Sequence, residues 1–274
     1  MNSPPRVPLL SGRLGKILLA EDNIVNQQVL LLRLQQAGFE VLIAANGREA
    51  VEVFGEGGID MILMDLQMPE MDGLRATRLI RSQEKATGSR VPIVAVTANV
   101  VEGERQRCVA AGMDDYLSKP VRGKELFETI ARLLHLPDVA EALRSHGGHA
   151  PKNPSTPSAP SPEEPGWLLV LRSMRFGEEA IRRLVRTFVT TTPERLASLQ
   201  QAVDLADLEQ ISLVSHTLEG SLLVFGAQPC AELARRLEQS AREGKVAEAA
   251  PLLSSIRLGI QPLLDSMQEF SSGA

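Results

Sequence analysis

The chain has 274 residues, a length that favours two compact units with separate cores over one large domain. Hydrophobic residues make up 43% of the chain and charged residues 23%, so a core can be buried and wholesale disorder is not expected. A net charge of -5 at pH 7 argues against a nucleic-acid partner, because proteins that bind polyanions concentrate Lys and Arg.

The two cysteines and the distribution of apolar residues favour a cytoplasmic location. Cys108 and Cys230 lie far apart, each within a helical pattern, so neither a disulfide framework nor a thiolate metal site is expected. No stretch approaches the roughly 18 apolar residues that span a bilayer, and the N-terminal residues lack the apolar core of a signal peptide. We therefore expect no direct membrane insertion.

Residues 1–14 are interpreted as an N-terminal tail and residues 15–136 as an α/β domain. In the second range, short apolar runs alternate with segments of helical period, which is typical of βαβ units that form a doubly wound parallel sheet. Five strands are predicted: Lys16–Ala20, Val41–Ala45, Asp60–Met64, Val91–Val96 and Asp115–Ser118.

Residues 137–165 hold seven of the seventeen prolines and are predicted to form a flexible linker that keeps the flanking domains apart while letting them reorient. Over residues 166–272, apolar residues recur three and four positions apart, which predicts a bundle of helices. Short loops between these helices favour antiparallel neighbours. Thr192 and Pro193 are typical of an N-cap and a first helical position.

The residues that follow the predicted strands bring reactive side chains to one edge of the sheet. Glu21 and Asp22 follow the first strand, Asp65 the third, Thr97 the fourth and Lys119 the fifth. In a doubly wound sheet, ligands bind at this carboxyl edge. Three crowded carboxylates repel one another unless a cation is present, and an all-oxygen site suits Mg²⁺. The arrangement predicts in-line phosphoryl transfer to Asp65, with Lys119 neutralising charge and Thr97 donating a hydrogen bond.

Each of these residues also has a purely structural interpretation when taken singly. An acidic pair after a strand is often a helix cap, and a Thr at a strand end or a Lys before a Pro is an ordinary turn residue. Tyr116, the only tyrosine, is equally suited to filling a core. The functional interpretation depends on the co-occurrence of all five groups at successive strand ends.

The first domain resembles the receiver domain of response regulators, especially those attached to hybrid sensor kinases, and this implies a flavodoxin-like fold. The resemblance covers roughly residues 15–135. It is carried by four motifs in order: AEDN at Ala20–Asn23, MDLQMPEMDG at Met64–Gly73, VTAN at Val96–Asn99 and AAGMDDYLSKP at Ala110–Pro120.

The resemblance to receivers implies a role for each site residue. Asp65 is the phosphoacceptor, and Thr97 and Tyr116 are the switch residues that reorient after phosphorylation. The peptide bond between Lys119 and Pro120 is expected to be cis. Four residues supply the ligands of Mg²⁺: Glu21, Asp22, Asp65 and the backbone carbonyl of Gln67.

Of the four histidines, only His216 lies in a predicted packed helix. The apolar stripe of that helix is predicted to face the core and consists of Leu208, Ile211, Leu218, Leu222 and Phe225. His216 projects from another side, where we expect its imidazole to be accessible to solvent. Gly220 lies one turn further, and because Gly is costly inside a helix, it indicates close approach of a docking partner.

The segment His216–Ala227, HTLEGSLLVFGA, resembles the motif of histidine-containing phosphotransfer (Hpt) domains, and the similarity extends over roughly residues 167–268. The resemblance implies an antiparallel four-helix bundle with His216 as a phosphoacceptor on the second helix. The neutral ring would attack the acyl phosphate of a receiver. Taken alone, His216 would be interpreted as a surface histidine on a bundle, and it is the surrounding motif and the preceding receiver domain that favour a phosphoacceptor.

Glu219 departs from the Hpt pattern. Such domains often carry Lys three residues after the histidine, where its charge supports phosphoryl binding. A carboxylate at this position repels a phosphoryl dianion. Our hypothesis is that phospho-His216 forms more slowly, or is shorter lived, than in a relative that carries Lys.

Together these features predict a multistep phosphorelay protein that accepts a phosphoryl group from a sensor histidine kinase on Asp65 and passes it through His216 to a downstream response regulator. Nothing resembles an ATP-binding kinase domain, so we expect a phosphotransfer intermediate whose receiver catalyses its own phosphorylation. The alternatives are a C-terminal fragment of a hybrid sensor kinase and a binding scaffold with a decayed phosphohistidine site. A Mg²⁺-dependent phosphatase is disfavoured, because such enzymes place the nucleophile after the first strand.

Overall fold

The structure is a computed structural model and describes residues 14–88, 90–98, 102–136 and 164–272. Most of the predicted tail, most of the predicted linker and Asn99 of the VTAN motif lie outside these ranges. Among the described residues, no helix combines the length and the apolar character that crossing a membrane requires.

Five parallel strands form one sheet in the order β2-β1-β3-β4-β5. They are β1 (Lys16–Ala20), β2 (Glu40–Ala44), β3 (Met61–Asp65), β4 (Ile93–Thr97) and β5 (Asp115–Ser118). The predicted fold is confirmed, and the predicted ends of β2, β3 and β4 are off by one or two residues. Since β1 and β3 are neighbours at the point where the strand order reverses, the residues after them meet where ligands bind in this architecture.

Helices cover both faces of the sheet. They are α1 (Ile24–Gln36), α2 (Gly47–Gly55), α3 (Gly73–Thr87), α4 (Glu102–Ala111) and α5 (Gly123–Leu133). Leu34 of α1 and Ile130 of α5 share one apolar cluster with the sheet, whereas Ala50 of α2 and Ile80 of α3 share another. The side chain of Asn23 caps α1 by accepting a hydrogen bond from the Val25 amide.

Residues 166–272 fold into helices alone, apart from a short 3-10 turn. The helices are α6 (Gly166–Ser173), α7 (Glu178–Asp204), α8 (Leu208–Val224), α9 (Gln228–Arg242) and α10 (Ala249–Ser272). Each of the four long helices packs on the next, and α10 packs back on α7, so they close around one core. The three-residue connections 205–207 and 225–227 require successive helices to be antiparallel.

The helix start predicted at Thr192 and Pro193 is wrong, because α7 runs continuously through both residues. A proline inside a helix removes one hydrogen bond and favours a break. Here Phe188 and Leu199, on either side of the proline, are both fully buried in the bundle core. Burial of this apolar face outweighs the local preference of the proline.

The two domains are in contact through α1. Val25 and Val29 lie in the same apolar cluster as the core of the bundle, and the side chain of Gln28 donates a 3.0 Å hydrogen bond to the hydroxyl of Thr187. The prediction that the linker keeps the domains apart is therefore wrong for the described residues. The reason is that α1 presents apolar side chains that burial against the bundle removes from water.

Gly73, the first residue of α3, should be sensitive to substitution. A Cβ atom at this position would lie 2.0 Å from the carbonyl oxygen of Asp65 and 2.9 Å from Cγ of Met64. We expect Gly73→Ala to lower the free energy of unfolding by about 1–3 kcal/mol, the usual cost of overpacking. Gly55→Ala is the matched control, because no atom would meet that Cβ within 4 Å. Urea denaturation measures both, and equal stability of the two variants would contradict this account.

Candidate functional site

Two buried carboxylates and one ammonium group meet at the carboxyl edge of the sheet. Glu21 follows β1, Asp65 ends β3 and Lys119 follows β5, and each acid is only 1% exposed. Nζ of Lys119 lies 2.5 Å from Oδ2 of Asp65 and 2.9 Å from Oε2 of Glu21. The structure thus brings together residues from three separate strand ends. The Lys119–Pro120 peptide bond is cis.

Burial and neighbouring charges shift the pKa values of the acids and the lysine in this pocket. Burial raises the pKa of Glu21 to about 7, although Lys119 opposes the shift, and Asp65 adds to it. Burial, followed by the charge of Asp65, also raises the pKa of Asp22. Burial by itself would lower the pKa of Lys119, but the two carboxylates beside it outweigh burial and raise that pKa. The pocket therefore holds more acidic groups than one ammonium group balances.

The acidic pocket fits a divalent cation. Carboxylate oxygens of Glu21, Asp22 and Asp65 lie within 4.8 Å of one another, and Oδ1 of Asp22 is buried without a hydrogen-bond partner. An unpartnered buried oxygen and repulsion between carboxylates both cost free energy, and a cation would relieve both. Three hard oxygen ligands suit Mg²⁺. The peptide of Gln67 borders the same pocket, since its N–H donates a 3.1 Å hydrogen bond to Oδ1 of Asp65.

The two candidate switch residues both contact α4. The hydroxyl of Thr97 donates a 2.9 Å hydrogen bond to the Glu104 carboxylate. The guanidinium of Arg105 lies 5.3 Å from the ring centroid of Tyr116. In this state the Thr97 hydroxyl is thus engaged with a helix side chain, so any hydrogen bond to a phosphoryl group on Asp65 requires that contact to be exchanged.

His216, on α8, lies next to the acidic pocket of the first domain. Its Nδ1 lies 3.4 Å from Oε2 of Glu238 on α9, whereas its Nε2 is buried and has no hydrogen-bond partner. Although burial favours the neutral imidazole, the hydrogen bond with Glu238 and the charge of Asp65 raise the pKa of His216 above its usual value. The candidate phosphoacceptors of the two domains therefore lie within electrostatic reach of each other.

The expectation that the imidazole of His216 is accessible to solvent is wrong, since the residue is only 6% exposed. That expectation treated the bundle by itself, but the first domain covers this side of α8. Asn23 donates to the carbonyl of Thr217 at 2.8 Å, and Gln67 donates to Glu238 at 3.2 Å. The histidine is thus enclosed between the two domains.

Two glutamates border His216 and have opposite electrostatic environments. Burial, followed by the charge of Glu238, raises the pKa of Glu219 to about 7. For Glu238, burial acts in the same direction, but His216 and Arg242 outweigh it and lower the pKa. Burial and neighbouring charges thus shift the pKa values of Glu238 and Glu219 in opposite directions, and Glu238 is the carboxylate that contacts the imidazole of His216.

A polar network joins the start of α1 to the bundle. Oδ2 of Asp22 accepts a 3.0 Å hydrogen bond from the hydroxyl of Thr217, and the amide of Asn23 donates to the hydroxyl of Ser221 at 2.9 Å. Arg195 on α7 donates to both Ser221 and Asn23, at 2.7 and 3.3 Å. The turn that carries the acidic pair is thus bound directly by the second domain.

Gly220 lies where the N-terminal end of α1 closely approaches α8. A Cβ atom on Gly220 would be 2.8 Å from Nδ2 of Asn26 and 3.3 Å from Nδ2 of Asn23. The sequence indicated close approach of a docking partner at this glycine. In the structure, the group that approaches belongs to the same chain.

Sequence reasoning missed several residues of this site. Thr217 and Ser221 are four positions apart and flank Gly220 on α8, so their spacing was a signal that was available. Arg195 and Glu238 lie on other helices of the bundle. No local spacing connects them with His216, and only tertiary packing reveals their role.

Comparison with known families accounts for both domains. Residues 17–131 match the response regulator receiver domain, and residues 183–269 match the Hpt domain. The chain therefore contains a receiver domain followed by an Hpt domain. A receiver domain paired with an Hpt domain fits two-component phosphorelay signalling.

The chain is similar to parts of much longer curated proteins. It is 41% identical over 120 residues to hybrid signal transduction histidine kinase I of Dictyostelium discoideum, covering 42% of this chain and 7% of that protein. It is 39% identical over 145 residues to histidine kinase 5 of Arabidopsis thaliana, and this match covers 44% of this chain and 16% of that protein. It is 37% identical over 126 residues to sensor protein GacS of Pseudomonas syringae pv. syringae, and this match covers 46% of this chain and 14% of that protein.

Solved structures that resemble the chain match less than half of it. The co-crystal structure of Saccharomyces cerevisiae Ypd1 with the receiver domain of Ssk1 has a TM-score of 0.43 at 35% identity, covering 44% of this chain and 89% of that chain. The second is the receiver domain of sensor histidine kinase PA1611 from Pseudomonas aeruginosa, solved with a coordinated magnesium ion. Its TM-score is 0.41 at 45% identity, and the match covers 44% of this chain and 98% of that chain.

Substitution of Gly220 should separate the stability of the bundle from its docking to the receiver. Ala is favoured over Gly inside a helix by about 1 kcal/mol, so Gly220→Ala should leave the bundle at least as stable. The new Cβ would crowd Asn26, and we expect the α1 amides to lose protection from hydrogen exchange. Gly166→Ala is the control, because its Cβ would meet no atom within 4 Å. Unchanged protection of α1 in Gly220→Ala would contradict this interpretation of the interface.

Replacement of Glu219 tests the electrostatic hypothesis about the phosphohistidine. Glu219→Lys places an ammonium group beside His216, and we expect the phosphohistidine to form faster or persist longer by about fivefold, which corresponds to roughly 1 kcal/mol of added attraction. Glu232→Lys makes the same charge change at an exposed position of α9. Identical kinetics of wild type and Glu219→Lys, measured by decay of acid-labile label, would count against the hypothesis.

Proposed function

We propose that Asp65 and His216 are successive phosphoacceptors in a multistep relay. A sensor histidine kinase upstream supplies the phosphoryl group to Asp65, His216 takes it from Asp65, and the receiver of a response regulator downstream takes it from His216. The domain pairing supports this order, and so does the similarity to hybrid histidine kinases. The chain spans less than a fifth of those relatives, so its partners are proposed from domain type.

The residues around Asp65 fit an in-line transfer to a carboxylate. An oxygen of Asp65 forms the new bond to phosphorus as the bond to the donor nitrogen breaks. Lys119, at 2.5 Å, is placed to balance the charge of the phosphoryl oxygens. Glu21, Asp22, Asp65 and the Gln67 carbonyl would hold Mg²⁺, which supplies further charge neutralisation. Thr97 would donate its hydroxyl to the new phosphoryl group.

The second transfer is supported by one observation: His216 lies within electrostatic reach of Asp65, and its Nε2 is buried without a hydrogen-bond partner. Glu238 faces Nδ1 and favours the tautomer whose proton lies on that nitrogen, so that Nε2 keeps its lone pair. Nε2 forms the bond to phosphorus as the bond to the Asp65 oxygen breaks. The proton stays on Nδ1, where Glu238 stabilises the positive charge that develops on the ring.

The docked arrangement has a consequence for exchange with partners. Asp65 is 1% exposed and His216 is 6% exposed, so neither is open to another protein in this state. Transfer between the two domains occurs while they are docked, and exchange with the kinase or the downstream regulator requires them to separate. The free cysteines, Cys108 and Cys230, fit our proposal that this takes place in the cytoplasm.

A transfer assay with radiolabelled sensor kinase tests the proposed order. In wild type we expect an acid-labile label on His216 and a base-labile label on Asp65. Asp65→Asn should lose both, and His216→Gln should keep only the label on Asp65. His135→Asn is the control, because Asn tolerates the positive φ of 53° found there.

A mixture of the two variants distinguishes transfer within a chain from transfer between chains. Asp65→Asn mixed with His216→Gln should label His216 at a rate that rises with protein concentration, whereas the wild-type rate should not depend on concentration. Labelling of His216 in Asp65→Asn alone would show that the kinase bypasses the receiver. No label on either residue in wild type would support the alternative of a binding scaffold.

A further inference from the structure

A second group of potential metal ligands lies within the Hpt domain, apart from the acidic pocket of the receiver. One nitrogen of His216 and one carboxylate oxygen each from Glu219 and Glu238 all lie within 4.8 Å of one another. The three residues are 6%, 5% and 6% exposed. Oε2 of Glu219 is buried and has no hydrogen-bond partner, so an unpaired ligand atom already lies in the cluster.

We propose that His216, Glu219 and Glu238 bind a transition-metal ion such as Zn²⁺, and that this ion blocks phosphorylation of His216. The ligand set is one imidazole nitrogen and two carboxylate oxygens. Zinc sites with three protein ligands of this kind leave one position for water. Mg²⁺ prefers oxygen ligands, so a cluster that contains an imidazole suits a transition-metal ion better than it suits Mg²⁺.

The helices already place the three ligands for one ion. His216 and Glu219 are three positions apart on α8 and therefore share a face, and Glu238 reaches them from α9. Nδ1 of His216 and Oε2 of Glu238 are 3.4 Å apart. Two ligand atoms of a tetrahedral Zn²⁺ with bonds of about 2.0–2.1 Å are separated by about 3.3–3.4 Å. Only Glu219 must move inward, by side-chain rotation.

Contacts around the cluster hold one ligand in position. Oε1 of Glu238 accepts hydrogen bonds from Arg242 and Gln67, which leaves Oε2 directed at His216. Such outer contacts orient metal ligands and support affinity. Two buried carboxylates also give the cluster an excess of negative charge, which a divalent ion would neutralise. The raised pKa of Glu219 is one sign of that excess.

Glu219 is the residue that creates the cluster. It replaces the Lys that Hpt domains often carry three residues after the histidine, and an ammonium group there would repel a metal ion. By itself, the departure from the Hpt pattern implies only that phospho-His216 forms more slowly or is shorter lived. In this cluster the same carboxylate also supplies a third metal ligand. The chain gains a metal site at the residue that carries the phosphoryl group.

Metal binding at Nδ1 and phosphorylation at Nε2 are incompatible in a neutral ring. A neutral imidazole has one lone pair and one N–H. When the ion binds the lone pair of Nδ1, the remaining proton lies on Nε2, which can no longer attack phosphorus. Inhibition rests on the proposed function, whereas metal binding does not, so the two are measured separately.

Binding is tested on the full chain with Mg²⁺ in excess, so that the receiver pocket does not take the added ion. Co²⁺ serves as a spectroscopic probe, and Zn²⁺ is titrated by calorimetry. We expect one site whose affinity falls by at least about tenfold in Glu219→Gln, since even loss of an outer contact costs 10–100-fold. Glu232→Gln removes an exposed acid from α9 and should bind like wild type. Circular dichroism checks that each variant is folded.

Each outcome decides the proposal. A Co²⁺ absorption band in wild type and Glu232→Gln that is lost in Glu219→Gln supports the site. Absence of binding in wild type, or equal binding in Glu219→Gln, overturns it. In the transfer assay, Zn²⁺ should slow labelling of His216 in wild type more than in Glu219→Gln, while labelling of Asp65 continues. If the chain binds Zn²⁺ but never labels His216, the proposed function fails and the metal site stands.

Discussion

The ammonium group of Lys119, buried between Asp65 and Glu21, is the interaction on which the functional edge of the protein depends. It draws the ends of β1 and β3 together. Its single positive charge offsets the negative charge of one of these two buried carboxylates. It does not balance the third acid, Asp22, whose buried Oδ1 lacks a hydrogen-bond partner. A pocket with this imbalance favours the binding of added positive charge, and its contact with Lys119 holds the candidate nucleophile, Asp65, in a fixed position.

The same turn that builds the pocket also builds the domain interface. Asn23 caps α1 and bonds to Ser221, and Asp22 is both a candidate cation ligand and an acceptor for Thr217. A cation on Asp22 and docking of the Hpt domain therefore act on one carboxylate. Since any change in the charge or orientation of that carboxylate alters both, the two events are coupled through one shared side chain and need no long pathway.

Local patterns predicted the elements and the pocket far better than the contacts between domains. Alternating strands and helices, with acids at strand ends, follow from spacing that is visible in the chain. The exposure of His216 was misjudged because it depends on residues almost 200 positions away, such as Asn23. Pro193 shows the same limitation, because its local signal was clear but tertiary packing overrode it. Its local preference is to begin a helix, but burial of Phe188 and Leu199 on one face carries α7 through it.

Both candidate phosphoacceptors are buried when the domains are docked, and this limits how strong the contact between the domains should be. Apolar contact by Val25 and Val29, with a few hydrogen bonds, aligns the two domains for transfer between them. Because they belong to one chain, the effective concentration of each for the other is high, and weak contact is enough for docking. A much stronger interface would keep Asp65 and His216 covered and would exclude the proposed partners. Under the proposed relay, modest affinity between the two domains is therefore a requirement, because phosphoryl groups must also be exchanged with other proteins.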